Sequence, residues 1–211
     1  FILMKRIFLI LTLLTSTIVT NLFAQCNVAG WASTNGVTGG GTAAPTVVTT
    51  YAELRTAVNS TAVKVIHVSG QITFPSAGRL TLNNQTNKSI LGLAGARLIS
   101  TDLTAGGSGI LTLKNSSNVL IKNITFEGPG AYDVDGNDNM TIDNCTNVWV
   151  DHCTFQDALD GNLDIKNGSD LITISWTKFE YLKAPIPGGS GGSNDHRFSN
   201  LFGSSDSDTQ D

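Results

Sequence analysis

The chain has 211 residues, enough for one domain with a sizeable core; 14% are charged and 40% apolar, a balance that excludes a disordered chain. Its formal net charge is −4. With no basic run after the first few residues, nucleic acid has no support as a partner, and an acidic polymer would need a local basic patch or a bridging cation.

Met4-Lys5-Arg6 opens an apolar run over residues 7–19, and Leu22-Phe23-Ala24 offers a small-residue cleavage site before Gln25. The run is short and ends in polar Thr20 and Asn21, so residues 1–24 read as a secretory signal peptide and not as a membrane span. Removing Lys5 and Arg6 with it takes the formal charge from −4 to −6. The mature chain, residues 25–211, is expected to be secreted (extracellular or periplasmic), monomeric and without a membrane partner.

Residues 27–46 are rich in Gly and Thr and read as an irregular lead-in. Thr50-Tyr51-Ala52-Glu53 is a capping box, and Leu54, Ala57 and Val58 then share one face of a short helix. Strands are expected over residues 63–68 and 70–74. His67 falls in the first and reads as a structural histidine.

Four stretches then fit one template: Leu80-Thr81-Leu82-Asn83-Asn84, Leu111-Thr112-Leu113-Lys114-Asn115, Met140-Thr141-Ile142-Asp143-Asn144 and Leu163-Asp164-Ile165-Lys166-Asn167. Each sets two apolar residues two apart and then reaches an asparagine. After the last three, further strand-like runs start at Val119, Val148 and Leu171. Period-two alternation marks strands, and a repeat of 23 to 31 residues marks a solenoid. Asparagine suits the corner because it tolerates the left-handed conformation, and stacked amides can bond up the coil. The repeats predict an all-β solenoid, a coil of stacked strands whose open first rung is covered by the short N-terminal helix. Residues 185–192 are rich in Pro and Gly and should form a long loop.

Three cysteines survive processing: Cys26, Cys145 and Cys153. The extended segment between the last two holds their Cα atoms too far apart for a disulfide. Cys153 is expected to fill the core in register with Ile124.

The acidic residues cluster. Asp133, Asp135 and Asp138 precede the third repeat; Asp160 and Asp164 lie just before and within the fourth. Stacked coils lie about 4.8 Å apart, so the two groups can face each other, and converging carboxylates without basic neighbours call for a cation. Hard oxygen ligands at flexible spacing suit Ca²⁺. Asp133 itself reads as a turn residue. The EF-hand pattern fails, since no bidentate Glu follows at the required distance.

Asn147-Val148-Trp149-Val150-Asp151-His152, Asp160-Gly161-Asn162-Leu163-Asp164, Ile172-Thr173-Ile174-Ser175-Trp176, Lys183 and the Leu201-to-Asp208 block resemble, in order and spacing, the central blocks of pectate lyases of the pectate lyase/pectin lyase superfamily. Gly39-Gly40, the capped helix and Val68-Ser69-Gly70 resemble that family's N-terminal part. The resemblance implies an all-β, right-handed parallel β-helix, and Ca²⁺-dependent cleavage of α-1,4-linked polygalacturonate by β-elimination. It implies Asp160 and Asp164 as calcium ligands, a further ligand at Asp135 or Asp138, and Lys183 as a residue binding the substrate carboxylate. In the family an arginine beyond the Gly203-Ser204-Ser205 block takes the proton. This sequence ends at Asp211, so the domain reads as C-terminally incomplete and the fragment as nearly inactive. Arg197 is assigned at most a substrate-side role. Asp151 and His152 sit next to each other in a strand, which should send them to opposite faces and leave them structural. Three rivals share the fold. A polygalacturonase-type hydrolase lacks its Gly-His-Gly element here; a pectin lyase would not need the Asp cluster; a non-catalytic carbohydrate-binding or adhesin β-helix would leave that cluster meeting Lys183 unexplained.

Overall fold

The computed structural model describes residues 29–204. The predicted signal peptide, Cys26 and the tail from Ser205 lie outside the described residues. Strands wind into three parallel sheets that form a right-handed β-helix. The six-stranded sheet runs β1 (Pro45–Val48), β2 (Val65–Val68), β5 (Thr86–Gly92), β8 (Ser117–Lys122), β11 (Thr146–Asp151) and β14 (Asp170–Ser175). A second sheet stacks the four template repeats, β4 (Leu80–Asn83), β7 (Leu111–Lys114), β10 (Met140–Asp143) and β13 (Gly161–Lys166), and adds β16 (Phe198–Phe202). The third holds β3 (Gln71–Thr73), β6 (Arg97–Ile99), β9 (Thr125–Glu127), β12 (Thr154–Gln156) and β15 (Lys178–Glu180).

The template's two apolar positions become columns of the core. Leu80, Leu111, Met140 and Leu163 stand in register, as do Leu82, Leu113, Ile142 and Ile165. The third sheet contributes a stack of rings, with Phe126 and Phe155 centroids 4.7 Å apart and Phe155 and Phe179 5.4 Å apart. Each fully buried side chain of this size contributes about 1.5–3 kcal/mol.

The corner asparagines do what their chemistry allows. Asn84, Asn115, Asn144 and Asn167 all take φ between 49° and 57°. Asn144 donates to Asn115 Oδ1 at 2.7 Å, while Asn167 donates to Asp143 and Asn115 to Asn83. A second left-handed column that the repeat did not announce follows three or four residues later at Asn87, Asn118, Asn147 and Leu171, where Asn118 donates to Asn87 Oδ1 at 2.7 Å. A third column, Asn123, His152 and Trp176, breaks each second run into two strands of different sheets. That break overturns the expected separation of Asp151 and His152. The strand ends at Asp151 and the chain turns at His152, so His152 Nδ1 comes within 2.8 Å of Asp151 Oδ2.

Helix α2 (Tyr51–Asn59) begins with the expected capping box at Thr50 and Glu53 and buries Leu54, Ala57 and Val58 over the first rung. Its C-terminal end is held by Lys88, which is fully buried and donates to the carbonyls of Ala57, Ser60 and Val63. The lead-in is more ordered than its composition suggests. It contains α1 (Gly30–Thr34) and β1, and lies along the outer face of the six-stranded sheet, where Thr173 Oγ1 accepts from Ala32 N and Asn118 Oδ1 from Thr38 N and Gly39 N. Gly39 has φ 55°, and a Cβ there would meet Ser89 Oγ and Leu120. Cys145 and Cys153 are free and buried, with burial pushing their thiols up to about 11 and about 12. Cys153 precedes the paired Thr154 as Ile124 precedes Thr125, the expected register.

Candidate active site on the template sheet

The turns that feed β10, β13 and β16 converge on one face. The template strands present alternate residues outward, so Thr141 on β10 lies beside Asp164 on β13, and Lys166 follows two residues on. The turns bring the other acids. Asp135, Asp138, Asp160 and Asp164 line a single cavity of about 470 Å³, together with Gly136, Gly161, Lys166, Phe198, Asn200 and Leu201. All four aspartates singled out in the sequence meet there. Asp135 is at the exposed rim; Asp138 and Asp164 are buried.

Each carboxylate is aimed by a specific partner. Thr141 Oγ1 donates to Asp138 Oδ2 at 2.9 Å and Gly161 N donates to Asp138 Oδ1 at 3.1 Å. Gly136 N donates to Asp160 Oδ2 at 3.2 Å. Gly161 is the residue that lets the acids come together: a Cβ there would sit 2.7 Å from Asp138 Oδ1 and 3.1 Å from Asp164 Oδ1. Burial, and then the charge of Asp138, pushes the Asp164 carboxyl up to about 7. Asp138 is raised as well, by burial first and by Asp160. The one cation in the lining, Lys166, stands 3.8 Å from Asp164 Oδ2.

Such a set of oxygen donors is electrostatically incomplete, since several carboxylates share a partly dry cavity with a single ammonium. A hard divalent ion matches that donor chemistry. Among the described residues no three acids are already drawn into ligand distance of one point. The fit therefore lies in the donor type, the convergence and the unbalanced charge.

The other predicted residues lie elsewhere. Lys183 is held by its own backbone N–H donating to Asp157 Oδ1 at 2.8 Å, and its ammonium reaches Gly128 O at 2.7 Å and Glu127 Oε1 at 3.2 Å. It does not line the acidic cavity. Arg197 forms a two-pronged pair with Asp195, at 2.6 and 2.5 Å, in an open hollow lined by Tyr181, Asp195, Arg197 and Phe198. Phe198 is common to that hollow and the acidic cavity.

Several residues of the site were not read from the sequence. Lys166 could have been, because the alternation that turns Asp164 outward does the same for the residue two further on. Asp133 is more than a turn residue: it is buried, accepts from Ser193 N, and lies 2.9 Å from His196 Nδ1. Tyr181 Oη stands 2.8 Å from Phe198 O and 3.1 Å from Asp160 O, so its one O–H can donate to either and ties the incoming loop to β16. Burial, with Asp160 and Asp138 nearby, keeps its phenol protonated well above the ordinary range.

Residues 6–201 match the family model described as pectate lyase. The chain is 31% identical over 192 residues to pectate lyase B of Paenibacillus amylolyticus, covering 74% of this chain and 49% of the relative. It is 35% identical over 186 residues to a probable pectate lyase B of Aspergillus terreus, covering 84% of this chain and 48% of the relative. The chain thus spans about half the length of these curated relatives. Among solved structures it is similar to a Paenibacillus sp. 0602 pectate lyase, with a TM-score of 0.59, 25% identity and coverage of 72% of this chain and 42% of that one. A Bacillus subtilis pectate lyase at 21% identity shares the fold, with a TM-score of 0.63 and coverage of 85% and 62%. The β-helix and the match across most of its length place the chain in the pectate lyase family.

Proposed function

We propose that this chain carries a calcium-binding site of the pectate lyase type, and that the protein it belongs to cleaves α-1,4-linked polygalacturonate by β-elimination. The observation that carries the reading is the convergence of Asp138, Asp160 and Asp164, with Asp135 at the rim, from separate turns into one cavity of about 470 Å³. Bound there, Ca²⁺ would supply charge neutralisation for a uronate carboxylate and for the charge that develops when the adjacent C5 proton leaves.

The chain's own residues supply the setting. Asp138, Asp160 and Asp164 would hold the ion, with Asp135 joining from the exposed rim. Lys166 offers an ammonium at the edge of the same cavity, where a second uronate of the polymer can be held. Lys183 spends two of its three donors on Glu127 and Gly128 O, so a substrate role for it means sharing that ammonium between Glu127 and the polymer. Proton abstraction needs a base over the cavity. Arg197, the only arginine in the second half of the sequence, is engaged by Asp195 to one side of it. We infer that the 211-residue chain binds calcium and turns over little.

Calorimetric titration of the chain with calcium tests this. Binding in roughly the 10⁻⁴–10⁻³ M range of extracellular sites is expected, and Asp160→Asn with Asp164→Asn should abolish it. The release of unsaturated uronides, followed by ultraviolet absorbance, should be near background. A chain that binds no calcium, or the double variant binding as well as its parent, would refute the site.

A further inference from the structure

His196 does something the family resemblance did not single out. It comes from the loop before β16, yet its ring stands between two carboxylates from two different turns: Nδ1 is 2.9 Å from Asp133 Oδ1 and Nε2 is 2.7 Å from Asp160 Oδ1. The side chain is 16% exposed and its edge packs on Phe198, with centroids 4.6 Å apart at 82°. Each partner is fixed from its other side. Ser193 N donates to Asp133 Oδ2, and Gly136 N to Asp160 Oδ2. Asp160 is therefore gripped at both oxygens, by the backbone of one turn and the imidazole of another loop.

We propose that His196 is a positioning residue for Asp160, holding that carboxylate so that its remaining lone pairs face the acidic cavity. This rests on the calcium reading above. The geometry favours positioning over packing because Asp160 is the least buried of the inner three acids, its side chain 28% exposed, and among the described residues no side-chain hydroxyl steadies it as Thr141 steadies Asp138. Without the imidazole its carboxylate would keep a single backbone bond at 3.2 Å and rotate into solvent. Groups that orient a ligating side chain are worth about 10–100-fold in metal affinity.

The test is a calcium titration by calorimetry on the full chain and its variants, with circular dichroism to confirm the fold. His196→Ala should weaken calcium about tenfold. His196→Gln, which keeps a donor within reach of Asp160, should recover part of that loss and also covers the case in which the alanine variant does not fold. Repeated in an Asp160→Asn background, His196→Ala should cost almost nothing further, because residues acting as a unit are non-additive. Parental binding that His196→Ala leaves unchanged or tightens overturns the positioning role alone, as does an equal loss in the Asp160→Asn background. A parental chain that takes up no calcium overturns the calcium reading and this role with it.

Discussion

Lys88→Met tests whether the N-terminal cap is fastened by charge or only by apolar contact. The wild-type ammonium is fully buried and serves three carbonyls: Ala57 at 3.1 Å, Ser60 at 2.6 Å and Val63 at 2.6 Å. Methionine retains most of the apolar stem, so the loss is largely that of the donor. The bond to Ala57 is buried, and stripping a buried carbonyl of its partner costs about 1–3 kcal/mol. The Ser60 and Val63 carbonyls are only partly buried and can recruit water, which limits their share to roughly 0.5 kcal/mol each by the net value of an ordinary hydrogen bond. A cation at the end of α2 also complements the helix dipole, for about 0.5 kcal/mol. Together these predict a loss of about 2.5–4.5 kcal/mol, read as a lower urea midpoint at unchanged slope. A second signature is in pH. Burial lowers the Lys88 ammonium to about 8 from its ordinary 10.5, so between those values the unfolded chain holds more protons than the folded one. Stability contributed through this group must then rise as pH rises from 8 to 10.5. Wild type should gain on Lys88→Met across that window. A change below about 0.5 kcal/mol, the range of ordinary surface substitutions, would show that the cap rests on α2's apolar face alone.

Two other outcomes follow from particular contacts. Gly161→Ala puts a methyl group 2.7 Å from Asp138 Oδ1 and should weaken calcium about tenfold in calorimetry while leaving the circular dichroism spectrum unchanged, since Gly161 is not among the glycines with positive φ; equal affinity would mean the two acids need not approach. Burial pushes the Cys145 and Cys153 thiols up to about 11 and about 12, so at pH 8 neither should react with an aromatic disulfide until denaturant is added, as located by peptide mass spectrometry; prompt labelling of either in the folded chain would contradict their burial.

The parts of this molecule that were legible in the sequence are those that repeat. A strand two residues in period, closed by an asparagine in the left-handed region, states its own inward face and its own corner, and four copies state the stacking. The acids at Asp160 and Asp164 were legible for the same reason, being tied to the fourth copy. What stayed hidden depends on contacts between segments that share no period. Lys88 shares the inward face of β5 with Ile90 and stands in register with Val119, and no period in the sequence shows that its ammonium is answered by the carbonyls at the end of α2. The second asparagine column was missed because each corner was read as one turn residue instead of two flanking a buried position, where Gln85, Ser116, Cys145 and Ser169 lie. His152 was misread because strand parity was carried one residue past the end of β11. Asp133 was discounted as a turn residue because its partner, His196, lies 63 positions away in a loop with no repeat to give it a register. Loop residues of that kind are where function departs from scaffold. A β-helix fixes its rungs through the strands alone, so an imidazole gripping two acids from different turns adds little to the winding of the coil. Its placement is better accounted for by the cavity it borders, and that is why the Asp133–His196–Asp160 chain is assigned to the proposed calcium site and not to the fold.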